Sequence, residues 1–276
     1  MTFNLDVPTL NGQEAIQIEE GSSVVFVGAN GTGKTKLAEH IESTLNQNAH
    51  RISAHRALSL NPSVPKISEN KALQGLRTGN ANDNARIQHR VSHRWNNKGS
   101  VHLLNDFDFL VQALFAEQSN KSLETHKKVR SGDNSSADPT KFEILTHVWE
   151  KLLPHRELHI SGDDILVSVI GEEETYSASK MSDGERAVFY MLGQTLVAAE
   201  HSLIIFDEPE LHVHRSIMAK LWDELESLRP DCAFLFITHD LEFATSRVAD
   251  KYVIREYSSR PYWNIENVPA DTGFDE

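Results

Sequence analysis

Cysteine is nearly absent from this chain of 276 residues: Cys232 stands alone. A single thiol can form neither an intramolecular disulfide nor a zinc site with other thiolates, which fits a reducing compartment. Its apolar surroundings, Cys232-Ala233-Phe234-Leu235-Phe236-Ile237, mark it as a buried structural thiol. No stretch reaches the roughly 18 consecutive apolar residues of a membrane span. The first residues carry no basic region leading into an apolar one, so the expected location is cytoplasmic and no membrane partner is expected. Positive charge is scarce too, with 27 basic against 40 acidic residues and a net charge of −13. A protein that coats DNA shows the opposite balance, so net charge does not point to DNA. The basic cluster His89, Arg90, His93, Arg94 and Lys98 reads as a solvated polar segment. The zinc motif H-E-x-x-H is missing, and the pairs His155/His159 and His212/His214 do not replace it. A guanine-reading N-K-x-D motif is missing as well, because Asn70-Lys71-Ala72-Leu73 lacks the aspartate. No internal repeat is present.

What remains is an ordinary globular composition, 39% hydrophobic and 24% charged, long enough for an α/β core carrying an insertion. Residues 22–27 form a short apolar run bounded by glycines and predict a buried strand. Leu37, Ile41 and Leu45 predict a helix over 34–45, and residues 51–60 read as a second strand with its exit loop. Residues 61–100 are rich in Asn, Arg, His, Lys and Ser, whereas 103–117 and 141–153 return to helical spacing around the loop 131–140. A mostly helical insertion over 61–155 is therefore expected within a core made of 1–60 and 156–276. In the second core segment, strands near 158–160, 165–170, 203–206, 233–237 and 252–254 alternate with helices over 183–200, 213–228 and from 241. That alternation predicts a largely parallel sheet covered by helices.

Four motifs carry chemistry. Gly28-Ala29-Asn30-Gly31-Thr32-Gly33-Lys34-Thr35 matches G-x-x-x-x-G-K-[ST] in full, between a predicted strand and a predicted helix. Glycines let the backbone N–H groups of Asn30 to Thr35 wrap a phosphate, and the helix N-terminus adds its dipole. Lys34 is expected on the β- and γ-phosphates and the Thr35 hydroxyl on Mg²⁺. The run Leu203-Ile204-Ile205-Phe206-Asp207-Glu208 delivers two carboxylates to the carboxyl end of a buried strand. Asp207 is expected on Mg²⁺, and Glu208 on the attacking water as base. His239 follows another buried strand and is expected at the γ-phosphate. Met181-Ser182-Asp183-Gly184-Glu185-Arg186 opens a helix with Ser182 and Glu185 spaced as a capping box. The same helix start, with Ser182 and Gly184, offers a second anion site.

In this order the four motifs resemble the ABC-ATPase superfamily. Met181 to Glu185 stand where that family carries L-S-G-G-Q or L-S-G-G-E, with Asp183 in place of a glycine. Asp207-Glu208-Pro209-Glu210-Leu211-His212-Val213-His214 looks like the non-transporter branch. That branch comprises DNA-repair and chromosome-maintenance ATPases, the overcoming-lysogenization-defect nucleases, and the ATPases of bacterial antiphage systems. Asn105 is the candidate for the family's Q-loop residue. The compact chain with the tail Tyr262-Trp263-Asn264-Ile265 looks most like the ATPase portion of PARIS-type defence systems, with no fused nuclease expected. The resemblance implies ATP and Mg²⁺ as cofactors and a homo-oligomer, at least a head-to-tail dimer in which Ser182 and Gly184 cap the partner copy's nucleotide. It also implies an ATP-driven conformational switch that controls a separate effector such as a TOPRIM-like nuclease. Two other readings remain: an ATP-held scaffold with little turnover, and a DNA-repair-type ATPase acting on DNA ends.

Overall fold

The computed structural model of the chain describes residues 1–133, 135–258, 260 and 262–269. In chain order the elements begin with β1 (Thr2–Thr9), β2 (Gly12–Glu19), β3 (Ser23–Gly28), α1 (Lys34–Leu45) and β4 (Ala49–Ile52). Next come α2 (Glu69–Thr78), α3 (Arg90–His93), α4 (Phe107–Arg130), α5 (Lys141–Leu152), β5 (Arg156–Ile160), β6 (Ile165–Val169) and β7 (Thr175–Ser177). The remainder is α6 (Asp183–Val197), β8 (Leu203–Asp207), α7 (Arg215–Leu228), β9 (Ala233–Thr238), α8 (Leu241–Ser246), β10 (Asp250–Ser258) and β11 (Tyr262–Val268).

Two compact units divide the chain. One comprises residues 1–55, 98–102 and 198–276, and the other 56–97 and 103–197. Of the segment expected as an insertion, 61–155, all but residues 98–102 belongs to the second unit, which also takes in β5, β6, β7 and α6. Those strands pair only with one another, antiparallel, and so form a sheet of their own.

The first unit is built on an eight-stranded sheet in the order β2-β1-β11-β10-β3-β9-β8-β4. From β10 through β4 every neighbour runs parallel, so β3, β9 and β8 all end on one edge. That edge receives the phosphate loop, the two acids and His239. Every residue of β8 and β9 is buried, which is why both read as unbroken apolar runs rather than alternating ones. On one face, Leu37, Ala38 and Ile41 of α1 pack in a core with Val24, Phe26, Leu235 and Ile237. The other face is aromatic: Trp222 of α7 sits 4.8 Å from Phe206, 5.3 Å from Phe236 and 6.1 Å from Phe243, ring centre to ring centre. Trp222 is fully buried. Trp222→Ala is therefore expected to cost about 3–5 kcal/mol of stability, measured by urea unfolding.

Three strands of the eight-stranded sheet, and β7 of the smaller one, lie outside the sequence reading. β1 and β2 form a hairpin in register from Thr2↔Glu19 to Thr9↔Gly12, with Phe3, Leu5, Val7, Ile16 and Ile18 turned into the core. β10 is followed by β11, so residues 252–254 are not the last strand. In β11 the alternation is plain, since Trp263 and Ile265 are buried while Asn264 and Glu266 are exposed.

In the second unit α6 is the core helix, with Ala187 through Val197 all buried. Phe107 lies 6.1 Å from Phe189 and 5.2 Å from Tyr190. A side chain at Gly193 would meet Leu110 at about 3.0 Å, so the glycine lets α4 approach closely. The basic cluster departs from the solvated segment expected, for Arg90 and Arg94 are buried. Arg94 pairs with Asp106 at 3.2 Å and lies over the Trp95 ring, while Tyr190 donates to the other Asp106 oxygen at 2.6 Å. A carboxylate and an indole thus take up the guanidinium that composition assigned to water. Asn105 is exposed, one residue before the Asp106 that precedes α4.

Candidate functional site

The loop 28–33 connects β3 to α1 through backbone that only glycine adopts freely. Gly31 has φ 87° and Gly33 φ 83°. A Cβ on Gly33 would lie 2.6 Å from Tyr257, and the Trp263 indole donates to the Gly33 carbonyl at 3.1 Å. The loop is therefore held from below by two aromatic residues of β10 and β11. Thr32 closes it from within, its hydroxyl donating to the Ala29 carbonyl at 2.8 Å.

Lys34, at the first position of α1, is 5% exposed and lies across the loop. Its ammonium donates to the Ala29 carbonyl at 3.2 Å and to Asn30 Oδ1 at 3.4 Å, and stands 3.9 Å from Glu208 Oε1. Thr35, next along the helix, donates to Asp207 Oδ1 at 3.4 Å. Asp207 ends β8 almost fully buried, and its second oxygen has no hydrogen-bond partner among the described residues. Burial pushes its carboxyl up to about 6, and the neighbouring Glu208 charge adds to this. Arg51 and the Thr35 hydroxyl pull the other way. A buried carboxylate with one unsatisfied oxygen, beside a hydroxyl, is a donor set of the kind a hard divalent cation takes. Thr35 and Asp207 are thus the residues that could hold Mg²⁺.

Glu208 adopts φ 51°, a left-handed conformation unusual for a side chain of this kind, and its backbone N–H donates to the Ile237 carbonyl of β9 at 2.8 Å. Such strain persists where surrounding contacts impose it, and it is common at functional sites. His239, at the end of β9, lies 3.7 Å from Glu208 through Nδ1 and 3.0 Å from Glu210. Asn30 through Thr35, Asp207, Glu208 and His239 therefore meet on one sheet edge. Glu210 was missed by sequence reasoning as a neighbour of His239. Its position two residues beyond Glu208, across the turn that brings the acids back to β9, was the available signal.

Ser182 and Gly184 belong to the second unit. Ser182 makes the expected capping box: its backbone and hydroxyl donate to Glu185 Oε2 at 2.7 and 2.8 Å, and Glu185 N–H donates back at 3.3 Å. Arg156 holds the other Glu185 oxygen at 2.8 Å. Asp183, the departure from the family pattern, is paired with Arg186 at 2.5 Å, so its charge is offset within its own helical turn.

A parallel-dominated sheet with helices and a phosphate loop facing a strand that ends in acids defines an ABC-like P-loop ATPase fold. The chain belongs to the family described as "AAA domain, putative AbiEii toxin, Type IV TA system", whose profile matches residues 54–245. The matched span includes Ser182, Asp207, Glu208 and His239, and begins after the phosphate loop. Among solved structures, the SmcHead bound to the C-winged helix domain of ScpA is similar at 13% identity and TM-score 0.53, with 97% of each chain covered. A nucleotide-free ATP-binding cassette from an ABC transporter is similar at 12% identity and TM-score 0.43, covering 92% of this chain and 87% of that one. At such identities the likeness concerns fold alone. No curated protein is similar enough to match. Among the described residues, no helix is long and apolar enough to cross a membrane.

Proposed function

We propose that the chain hydrolyses ATP as a nucleotide-driven switch. The observation that carries this reading is the convergence of Lys34, Thr35, Asp207, Glu208 and His239 at the carboxyl ends of three adjacent parallel strands. Lys34 binds and neutralises the β- and γ-phosphates, with backbone N–H groups of residues 30–35 around them. Thr35 and Asp207 hold Mg²⁺, which when bound supplies charge neutralisation at the phosphates. Glu208 orients the attacking water and accepts its proton, and His239 contacts the γ-phosphate. No acceptor substrate is needed in this scheme. Phosphate release from ATP is therefore expected without an added acceptor, and is expected to stop when EDTA removes the divalent cation. Release that required a small-molecule acceptor would make the chain a kinase.

Ser182 and Gly184 act in trans in this reading, at the nucleotide of a second copy, and ATP binding closes a head-to-tail pair that hydrolysis reopens. The switch serves antiphage defence by controlling an effector such as a TOPRIM-like nuclease, as in PARIS-type systems. The family's description, with its toxin and type IV toxin–antitoxin terms, is compatible with such a role. The second reading is a scaffold held together by ATP with little turnover. It is favoured by the engagement of the Ser182 hydroxyl with Glu185. Nucleotide-dependent association without phosphate release would decide for it.

A further inference from the structure

Glu210 is a carboxylate with an unusual environment. Its side chain is 9% exposed, and a single oxygen, Oε1, takes up three neighbouring groups. Thr238 donates its hydroxyl to that oxygen at 2.7 Å, the His239 backbone N–H approaches at 3.4 Å, and His239 Nδ1 lies 3.0 Å away. The other oxygen, Oε2, is buried with no hydrogen-bond partner among the described residues. As a mere staple for the turn after β9 this is costly, because an ionised oxygen buried without a partner is destabilising. A neutral amide would hold Thr238 with less penalty. The negative charge has a use only if something nearby is positive, and the imidazole of His239 is the group in contact.

The chemistry of the contact narrows its role. An ionised carboxylate only accepts, so a 3.0 Å approach to Nδ1 is attractive when Nδ1 carries a proton. An imidazole protonated at Nδ1 alone offers a lone pair at Nε2, which would repel a phosphate oxygen. To donate to phosphate from Nε2 the ring must carry both protons, and a carboxylate at Nδ1 stabilises that cation. Glu208 Oε1, 3.7 Å from the same nitrogen, adds to the negative field.

We infer that Glu210 is the positioning residue of this site: its Oε1 fixes His239 through Nδ1, leaving Nε2 to face the terminal phosphate. The inference rests on the ATPase reading given above. Glu210 touches no phosphate itself, so its whole effect on turnover passes through His239.

That last statement can be tested with a double-mutant cycle on the full chain, reading kcat, KM and ATP affinity for wild type, Glu210→Ala, His239→Ala and the double variant, with Glu210→Gln as the isosteric control. The expected result is a kcat loss of up to about a hundredfold for Glu210→Ala, with KM within roughly threefold of wild type. The double variant is expected to be no slower than His239→Ala alone. Glu210→Gln keeps an acceptor for Nδ1 but not the charge, so its loss is expected to be smaller than that of Glu210→Ala. Retained ATP affinity in these variants reports an intact fold. Losses that multiply in the double variant, a change confined to KM, or wild-type turnover in Glu210→Ala would each overturn the inference while leaving the ATPase reading standing. A wild-type chain that binds ATP without turning it over would end both.

Discussion

Glu208→Gln is expected to keep ATP bound while turnover falls by about 10²- to 10⁴-fold, the range over which a positioned base contributes. Lys34→Ala is expected to lose binding instead, by roughly two orders of magnitude or more. The contrast follows from where the two side chains sit. Lys34 is buried against the loop, its ammonium satisfied by the Ala29 carbonyl and Asn30, and it is the cation that faces the phosphate cradle. Removing it takes away ground-state charge pairing. Glu208 is only 3.9 Å from that ammonium, yet its own backbone is fixed by strain and by the bond to Ile237. The amide in Glu208→Gln keeps the shape and the backbone bond but cannot accept a proton from water. A trapped, closed pair is the corollary, seen as a shift to the dimer by sedimentation when ATP is added. Calorimetric ATP binding together with steady-state phosphate release separates the two variants. Wild-type turnover in Glu208→Gln would refute its assignment as base.

Asp207→Asn is expected to abolish divalent-dependent turnover and, in the metal-free protein, to raise stability. The folded chain holds the Asp207 proton more tightly than the unfolded chain does, because burial lifts the carboxyl from 3.8 to about 6. Ionisation of Asp207 therefore costs stability. The cost is absent below the unfolded value, grows as pH rises through the interval to about 6, and is complete above it. Asparagine carries no such cost. In EDTA at pH 8 the variant is expected to be more stable by up to about 3 kcal/mol, and the gain to shrink by about half at pH 5. Urea unfolding at the two pH values checks both sign and window. A variant less stable than wild type at pH 8 would mean that Asp207 makes a favourable buried contact outweighing its desolvation.

The parts of this site that were legible in the sequence are those whose residue types are dictated locally. Gly31 and Gly33 are glycines because the chain passes through left-handed φ there, and at Gly33 the close approach of Tyr257 leaves no room for a side chain as well. The apolar run 203–206 ends in acids because the strand is buried on both faces and stops at the sheet edge. By contrast, the pairing of Glu210 with His239 depends on two loops from different strands meeting, so the nearness of Glu210 to Glu208 in sequence marks the residue without naming its partner. The same holds for the Arg94–Asp106–Tyr190 network, whose members lie far apart along the chain. The β1–β2 hairpin was legible in principle: Phe3, Leu5 and Val7 alternate with Asn4 and Asp6, and Ile16 and Ile18 answer them across Asn11-Gly12. It lay outside the strand–helix alternation that the motifs suggested, and it is an antiparallel edge of a sheet in which β10 and β11 also pair antiparallel.

The place of β11 has a consequence for how the protein is made. It stands between β10 and β1, so the hairpin, made before β3 to β10, is joined to the rest of its sheet by a strand made after them. During translation the inner edge of β1 has no neighbour until residue 268 leaves the ribosome. An open strand edge in a nascent chain is a template for pairing with other chains. The same late strand brings Trp263 under Gly33, so the phosphate loop gains its indole support from a residue made 230 positions later. Until then the nascent chain carries a nucleotide loop that is not yet braced.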